Sequence, residues 1–332
     1  MAEGKLGGKV AIITGGSEGI GKAAATGMAR EGASVVICAR RPDVLEQAAA
    51  QVSRDTGGQV TAIAADVRKP DDLKNLFDKT ISLHGQLDIL VNNAGTAAGG
   101  SFSDATDEYW QNDLDIKLFG AIRCSRLALP HLKASGGGRI VNITTVGGKA
   151  PEGGSLPTSV SRAAGIALTK AMSKEYAADN ILVNTVCIGL IKSGQIQRRF
   201  ERQRESDPSL TEGLFYQRLA EPIPLGRVGD ACEAGDVICF LASDRASYLT
   251  GASINIDGGA SPAFQRGLVL PIASSQLLMV GWLTGSRASR SAASPSALIR
   301  SASAMTFSWT ASSTPKSSLI GAPGASAART SR

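Results

Sequence analysis

The chain has 332 residues, 43% of them hydrophobic and 19% charged, with a formal net charge of +6. That apolar content supports a large core and excludes a wholly disordered chain. Of the 35 basic and 29 acidic residues, seven basic and no acidic ones lie in residues 262–332, which leaves 28 and 29 in residues 1–261. The body is therefore nearly neutral, and the overall basicity does not argue for a nucleic-acid or anionic-membrane partner.

The first elements alternate strand with helix. Val10-Ala11-Ile12-Ile13 reads as a short buried strand running into glycines, and Lys22 to Glu31 as a helix that Gly32 is placed to cap. Ser34 to Cys38 follows as a strand and Asp43 to Asp55 as an Ala-rich helix stopped by Gly57-Gly58. Val60 to Ala64, Leu87 to Val91, Arg139 to Ile143, Ile181 to Val186 and Ala252 to Ile256 are the remaining strands. Helices are expected between them, among them Ala105 to Leu132 and Ser161 to Asp179. Continuous apolar strands separated by helices predict a seven-stranded parallel sheet covered on both faces, a Rossmann-like, doubly wound α/β fold in a single domain over residues 1–261. A segment at about 193–224 reads as a substrate lid. Its arginines Arg198, Arg199, Arg202 and Arg204 alternate with Glu201 and Glu205, the pattern of a solvated helix face.

Residues 262–332 are a Ser/Ala-rich basic tail with no sustained helix or strand period, expected to be a disordered extension. The five cysteines, Cys38, Cys124, Cys187, Cys232 and Cys239, form no CxxC pair and lack a histidine cluster. They are expected as free buried thiols of a reducing compartment, with no metal site. Met1 to Lys9 lacks an apolar leader and no run of about 18 apolar residues occurs, so a cytoplasmic protein without a spanning helix is expected.

Chemistry begins at Thr14-Gly15-Gly16-Ser17-Glu18-Gly19-Ile20-Gly21, a glycine-rich turn between the first strand and the first helix. Such a turn lets backbone approach a pyrophosphate, and the helix N-terminus supplies amide donors and a positive dipole end. Where a carboxylate for a ribose 2′-hydroxyl would sit, this chain has Ala39, followed by Arg40-Arg41. Guanidinium groups suit a 2′-phosphate, so NADP(H) is the expected cofactor and NAD(H) the alternative.

The spacing TGxxxGxG resembles the short-chain dehydrogenase/reductase family. Asn92-Asn93-Ala94-Gly95, Arg139 to Ile143, Val183-Asn184 with Gly189, and Asp257-Gly258-Gly259 strengthen the resemblance over about residues 6–261. It implies cofactor contacts from Gly15, Ser17, Glu18, Gly19, Ile20 and Gly21, from Asp66 and Val67 after the third strand, and from Asn93, Ala94 and Gly95 after the fourth. It also implies contacts from Ile188, Gly189 and Ser193. A homodimer or homotetramer and a small-molecule substrate are implied too.

The family's catalytic set is Asn, Ser, Tyr and Lys, and this chain departs from it at all four places. Thr145 stands at the Ser position, Thr158 at the Tyr position, Arg162 at the Lys position and Lys117 at the Asn position. Thr145 keeps a hydroxyl, and Arg162 keeps a charge able to hold the ribose but cannot deprotonate. Thr158 is a far weaker acid than a phenol. Lys117 is the gain, since a partly buried ammonium can serve as a general acid; otherwise it is a surface lysine paired with Asp113 or Asp115. Among the tyrosines, Tyr216 in the lid is the candidate to fold over the site, while Tyr248 is expected to pack near the last strand. The expected function is an NADP(H)-dependent oxidoreductase interconverting a carbonyl and an alcohol with a non-standard proton donor. The alternative is a catalytically silent dinucleotide-binding protein.

Overall fold

The computed structural model describes residues 5–262. The tail, with its expected disorder, lies outside the described residues. Strands β1 (Val10–Thr14), β2 (Ser34–Ala39), β3 (Val60–Ala64) and β4 (Ile89–Asn92) alternate with helices α1 (Gly19–Arg30), α2 (Pro42–Thr56) and α3 (Pro70–His84). A two-residue strand, β5 (Gly99–Gly100), precedes α4 (Asp107–Leu114) and α5 (Gly120–Ala134). Then come β6 (Gly138–Thr145), the two-residue β7 (Leu156–Pro157), α6 (Thr158–Glu175) and β8 (Ile181–Ile188). Helices α7 (Gly194–Ser206) and α8 (Glu212–Ala220), in the segment read as a lid, lead to α9 (Ala231–Ala242) and β9 (Ser253–Ile256).

Seven strands form one sheet in the order β3-β2-β1-β4-β6-β8-β9, every pairing parallel. The order reverses direction between β1 and β4, which opens a crevice at the carboxyl ends of those strands where open α/β sheets bind ligands. Both faces are covered, as continuous apolar strands require. One core packs Ile13, Val35, Ile37 and Val91 against Ala24, Met28 and Ile238; the other packs Ile12, Val36 and Leu90 against Leu73, Leu76, Phe77 and Leu132.

Helices α1 and α9 approach closely because glycine lines their contact. A Cβ on Gly27 would lie 2.6 Å from Cys239 Sγ, and one on Gly235 would lie 2.9 Å from the Ala23 carbonyl carbon. Gly57 and Gly85 close α2 and α3 in the left-handed conformation, at φ 70° and 75°.

Four sequence expectations need correction. The helix expected from Ala105 to Leu132 is broken: between α4 and α5 lies a π-helical turn, Asp115–Phe119. The helix expected from Ser161 begins earlier, at Thr158, and ends at Glu175. Not all the cysteines are buried: all five are free, but Cys232 is exposed and Cys239 half-buried. Tyr248 does not pack near the last strand either; it is fully exposed.

No helix among the described residues is long and apolar enough to cross a membrane. No cluster of three or more potential metal ligands occurs among them.

Candidate active site

The crevice is built from the glycine turn outward. Gly15 and Gly16 donate their N–H groups to the Cys38 carbonyl (2.8 and 3.1 Å), which ties the turn to β2. Thr14 Oγ1 accepts from the N–H groups of Asn93 and Ala94, both at 3.0 Å. The Asn93 amide returns two bonds, to the carbonyls of Thr14 (2.9 Å) and Gly15 (3.0 Å). Asn93 therefore spends its side chain on bracing the turn. Gly21 is required by space: a Cβ there would lie 2.3 Å from the Gly15 carbonyl oxygen. Gly21→Ala is expected to push the turn open and weaken dinucleotide binding at least tenfold, read by fluorescence titration, because overpacking against backbone has no flexible atom to yield.

At the outer edge, Glu18 takes Arg41 as an ion-pair partner, and Arg198 of α7 reaches it from the other side at 3.3 Å. Burial alone would push the Glu18 carboxyl up, but the two guanidinium groups hold it below its usual value. Arg198 thus belongs to a contact between lid and turn, not only to a solvated face. Arg40 is exposed and forms no ion pair with any described residue. Asp66 is gripped by the Arg68 guanidinium through Nε (3.0 Å) and Nη2 (2.6 Å), which keeps its carboxyl low. Val67 is buried beside it, close to Gly120.

At the far side, Gly189 donates to Ile256 (2.8 Å), and its lack of a side chain admits Asp257, which a Cβ would meet at 2.7 Å. Ser193 caps α7 by accepting from Ile196 N. Ile188 is the half-buried last residue of β8. Gln195 donates to the Gly95 carbonyl at 3.1 Å, so the lid meets the β4 loop as well as the turn.

Lys117, Thr158, Arg162 and Thr145 fall in two groups. Lys117, in the π turn, is buried: its side chain is 1% exposed and that of its ion-pair partner Asp113 is 0% exposed. Asp113 is the partner, and not on the surface; Asp115 pairs with Arg123 instead. Lys117 Nζ also donates to Thr158 Oγ1 at 2.6 Å, and Ser161 Oγ donates to the second oxygen of Asp113 at 2.6 Å. Thr158, the first residue of α6, is half-buried and is the most exposed member of the cluster. Burial, followed by the Arg162 charge, lowers Lys117 to about 8 against the opposing pull of Asp113.

Arg162 is also buried. It donates through Nη1 to the Ile143 carbonyl at 2.6 Å, while its Nε has no partner. Burial lowers it to about 10. Glycines frame it: a Cβ on Gly95 would lie 2.6 Å from Nη2, and one on Gly148 would lie 3.0 Å from the Arg162 Cβ. Thr145 ends β6 half-buried, and its Oγ1 and the Ser159 Oγ flank Gly147.

Tyr216 does not join this cluster by any described contact. It packs in the lid, edge-on to Phe215 (5.4 Å between ring centroids) and beneath the Lys192 ammonium at 5.7 Å. Asp113 as a buried partner and Ser161 were not singled out by the sequence. The one available signal was the i,i+4 spacing of Asp113 and Lys117, which reads equally as a surface pair.

The family profile described as Enoyl-(Acyl carrier protein) reductase matches residues 15–261. The chain is 36% identical over 259 residues to Oxidoreductase UcpA of Escherichia coli K12, covering 78% of this chain and 96% of that protein. It is 34% identical over 255 residues to human Dehydrogenase/reductase SDR family member 4, covering 76% and 88%. Among solved structures, L-sorbose reductase from Gluconobacter frateurii, complexed with NADPH and L-sorbose, superimposes with a TM-score of 0.75 at 33% identity, covering 79% of this chain and 99% of that one. The chain belongs to the short-chain dehydrogenase/reductase family. It is an oxidoreductase by that membership.

Proposed function

We propose that the chain is an NADP(H)-dependent oxidoreductase that interconverts a carbonyl and an alcohol, with Lys117 supplying the proton through Thr158. The observation that carries this reading is the 2.6 Å contact between a buried ammonium and the hydroxyl of Thr158, the one half-buried residue of the cluster. The fit of the cofactor rests on the turn that a Cβ at Gly21 would fill, and on the buried Arg162 whose Nε lacks a partner. The NADPH complex of the sorbose reductase supports the same cofactor.

Gly15, Gly19 and Gly21, with the N–H groups of the α1 terminus, would hold the pyrophosphate. Ser17, Ile20, Val67, Ala94 and Gly95 would line the adjacent path, and Ile188, Gly189 and Ser193 the nicotinamide end. Arg162 would hold the ribose, and Arg40 the 2′-phosphate, because Arg41 is already engaged by Glu18. Bound there, the dinucleotide supplies or accepts a hydride. The chain's own task is the proton. Thr158 gives its hydroxyl proton to the developing alkoxide and takes one from Lys117 Nζ. Thr145 offers a hydrogen bond to the same oxygen. Lys117 is not itself a group that substrate touches.

Arg40→Asp is expected to lower the preference for NADPH over NADH at least tenfold, measured as the ratio of dissociation constants; an unchanged ratio would remove Arg40 from the site. Lys117→Met, alone and combined with Asp113→Leu to keep the interior neutral, is expected to lower NADPH-dependent carbonyl reduction about 100-fold or more while cofactor affinity holds. Turnover equal to that of the parent protein would overturn the assignment of the proton donor.

A second reading, a silent dinucleotide binder, is favoured by the near-complete burial of Lys117 against Asp113. It expects cofactor binding without turnover across ketones, aldehydes, quinones and 3-oxoacyl thioesters. Assembly into a homodimer or homotetramer belongs to the same proposal, supported by the exposed Phe102, Tyr109, Phe119 and Val160.

A further inference from the structure

The same cluster has the form of a different catalytic device. Enzymes that activate a hydroxyl as nucleophile place it within about 2.6–3.2 Å of a base that a third group orients. Here Thr158 Oγ1 stands 2.6 Å from Lys117 Nζ, Lys117 is held by Asp113, and Asp113 is fixed in turn by Ser161 Oγ at 2.6 Å. Thr158 is half-buried and Lys117 is buried, so a substrate reaches Thr158 first. Thr158 also opens an eighteen-residue helix, whose N-terminal end favours the negative charge of a tetrahedral adduct.

We infer that Thr158 and Lys117 form a nucleophile–base pair that carries out acyl transfer from small esters or thioesters, without a dinucleotide. This activity goes beyond the oxidoreductase reading and needs the opposite protonation state of the same lysine.

The balance closes with water alone. Thr158 Oγ attacks the acyl carbon as its proton passes to neutral Lys117 Nζ. The tetrahedral adduct collapses, the C–O bond of an ester or the C–S bond of a thioester breaks, and the departing alkoxide or thiolate takes that proton. Water then attacks the acyl-threonine, again giving a proton to Lys117. The acid leaves and Thr158 recovers its hydrogen. The net change is ester or thioester plus water to acid plus alcohol or thiol, and nothing is oxidised or reduced.

Two charged groups face Lys117 and set its availability. Asp113 of α4 favours the ammonium, while Arg162 of α6, together with burial, favours the neutral amine. Acylation should therefore rise with pH up to about 8 and level off above it.

The test uses the full chain freed of dinucleotide, with p-nitrophenyl acetate as probe and peptide mass mapping of the acetyl group. The expected result is a burst of nitrophenol approaching one equivalent, with acetyl on Thr158. Thr158→Val, and Lys117→Met combined with Asp113→Leu, should slow that burst about 100-fold or more, while Thr158→Ser retains it. Acetyl found only on other residues, or a burst of unchanged rate in Thr158→Val, overturns the inference. NADPH oxidation by the same preparation is measured separately. A protein that acylates but never turns over NADPH refutes the oxidoreductase reading and leaves this one standing; the reverse result does the opposite.

Discussion

Replacing Asp113 by Leu alone, or Lys117 by Met alone, is expected to cost about 3–5 kcal/mol of stability, and replacing both together to cost far less than the sum. The pair is one of the most deeply buried ionic contacts of the protein, with side-chain exposures of 1% and 0%. Removing one partner leaves a charge out of reach of water, and that penalty exceeds the net worth of the pair itself. Asp113 would keep only its bond from Ser161, and Lys117 only its bond to Thr158. The double change removes both charges and fills the space with apolar groups of similar length. A double-mutant cycle by urea unfolding reads the coupling directly. Against a typical stability of about 5–15 kcal/mol, either single change should lower the unfolding midpoint by roughly 10 °C. Equal midpoints for the parent and both single variants would mean that the pair is hydrated in solution. The double variant is also why activity can be tested at this position without losing the fold.

That interior pair marks the limit of what the sequence reveals. The sheet was legible because its strands are apolar runs that need cover on both faces, and Val60–Ala64 agrees residue for residue. The turn at Gly15 to Gly21 was legible because its spacing follows from backbone approach. Lys117 was legible as a position, through the family resemblance, but not as an environment. Asp113 and Lys117 at i,i+4 look like any solvated pair on a helix. The π turn at Asp115–Phe119 redirects that face inward, and no single residue in it announces the change. Ser161 was hidden by being ordinary: a serine within a helix becomes informative only when its partner is known. The Glu18–Arg198 contact joins residues 180 positions apart, so only the folded lid shows it.

The pH dependence of carbonyl reduction tests the site in a way that stability does not. Lys117 must be protonated to resupply Thr158, and burial together with Arg162 brings it down to about 8. Reduction is therefore expected to be level below that point and to fall about tenfold for each further pH unit above it. Alcohol oxidation needs the proton removed and should rise over the same range. Acyl transfer should share the rising limb, since it too uses the neutral amine. At neutral pH roughly one lysine in ten is then in the basic form, so reduction runs near its plateau there and oxidation well below its own. Asp113→Asn keeps the shape of the pocket but withdraws the charge that favours the ammonium, so all three limbs should move together to lower pH. A limb that stays in place in Asp113→Asn, or that survives Lys117→Met, assigns the titration to another group. The family's tyrosine would act as a phenol tuned by a neighbouring lysine. On the proposed reading the titrating group here is the lysine, and the hydroxyl beside it would carry the proton between that buried base and the substrate.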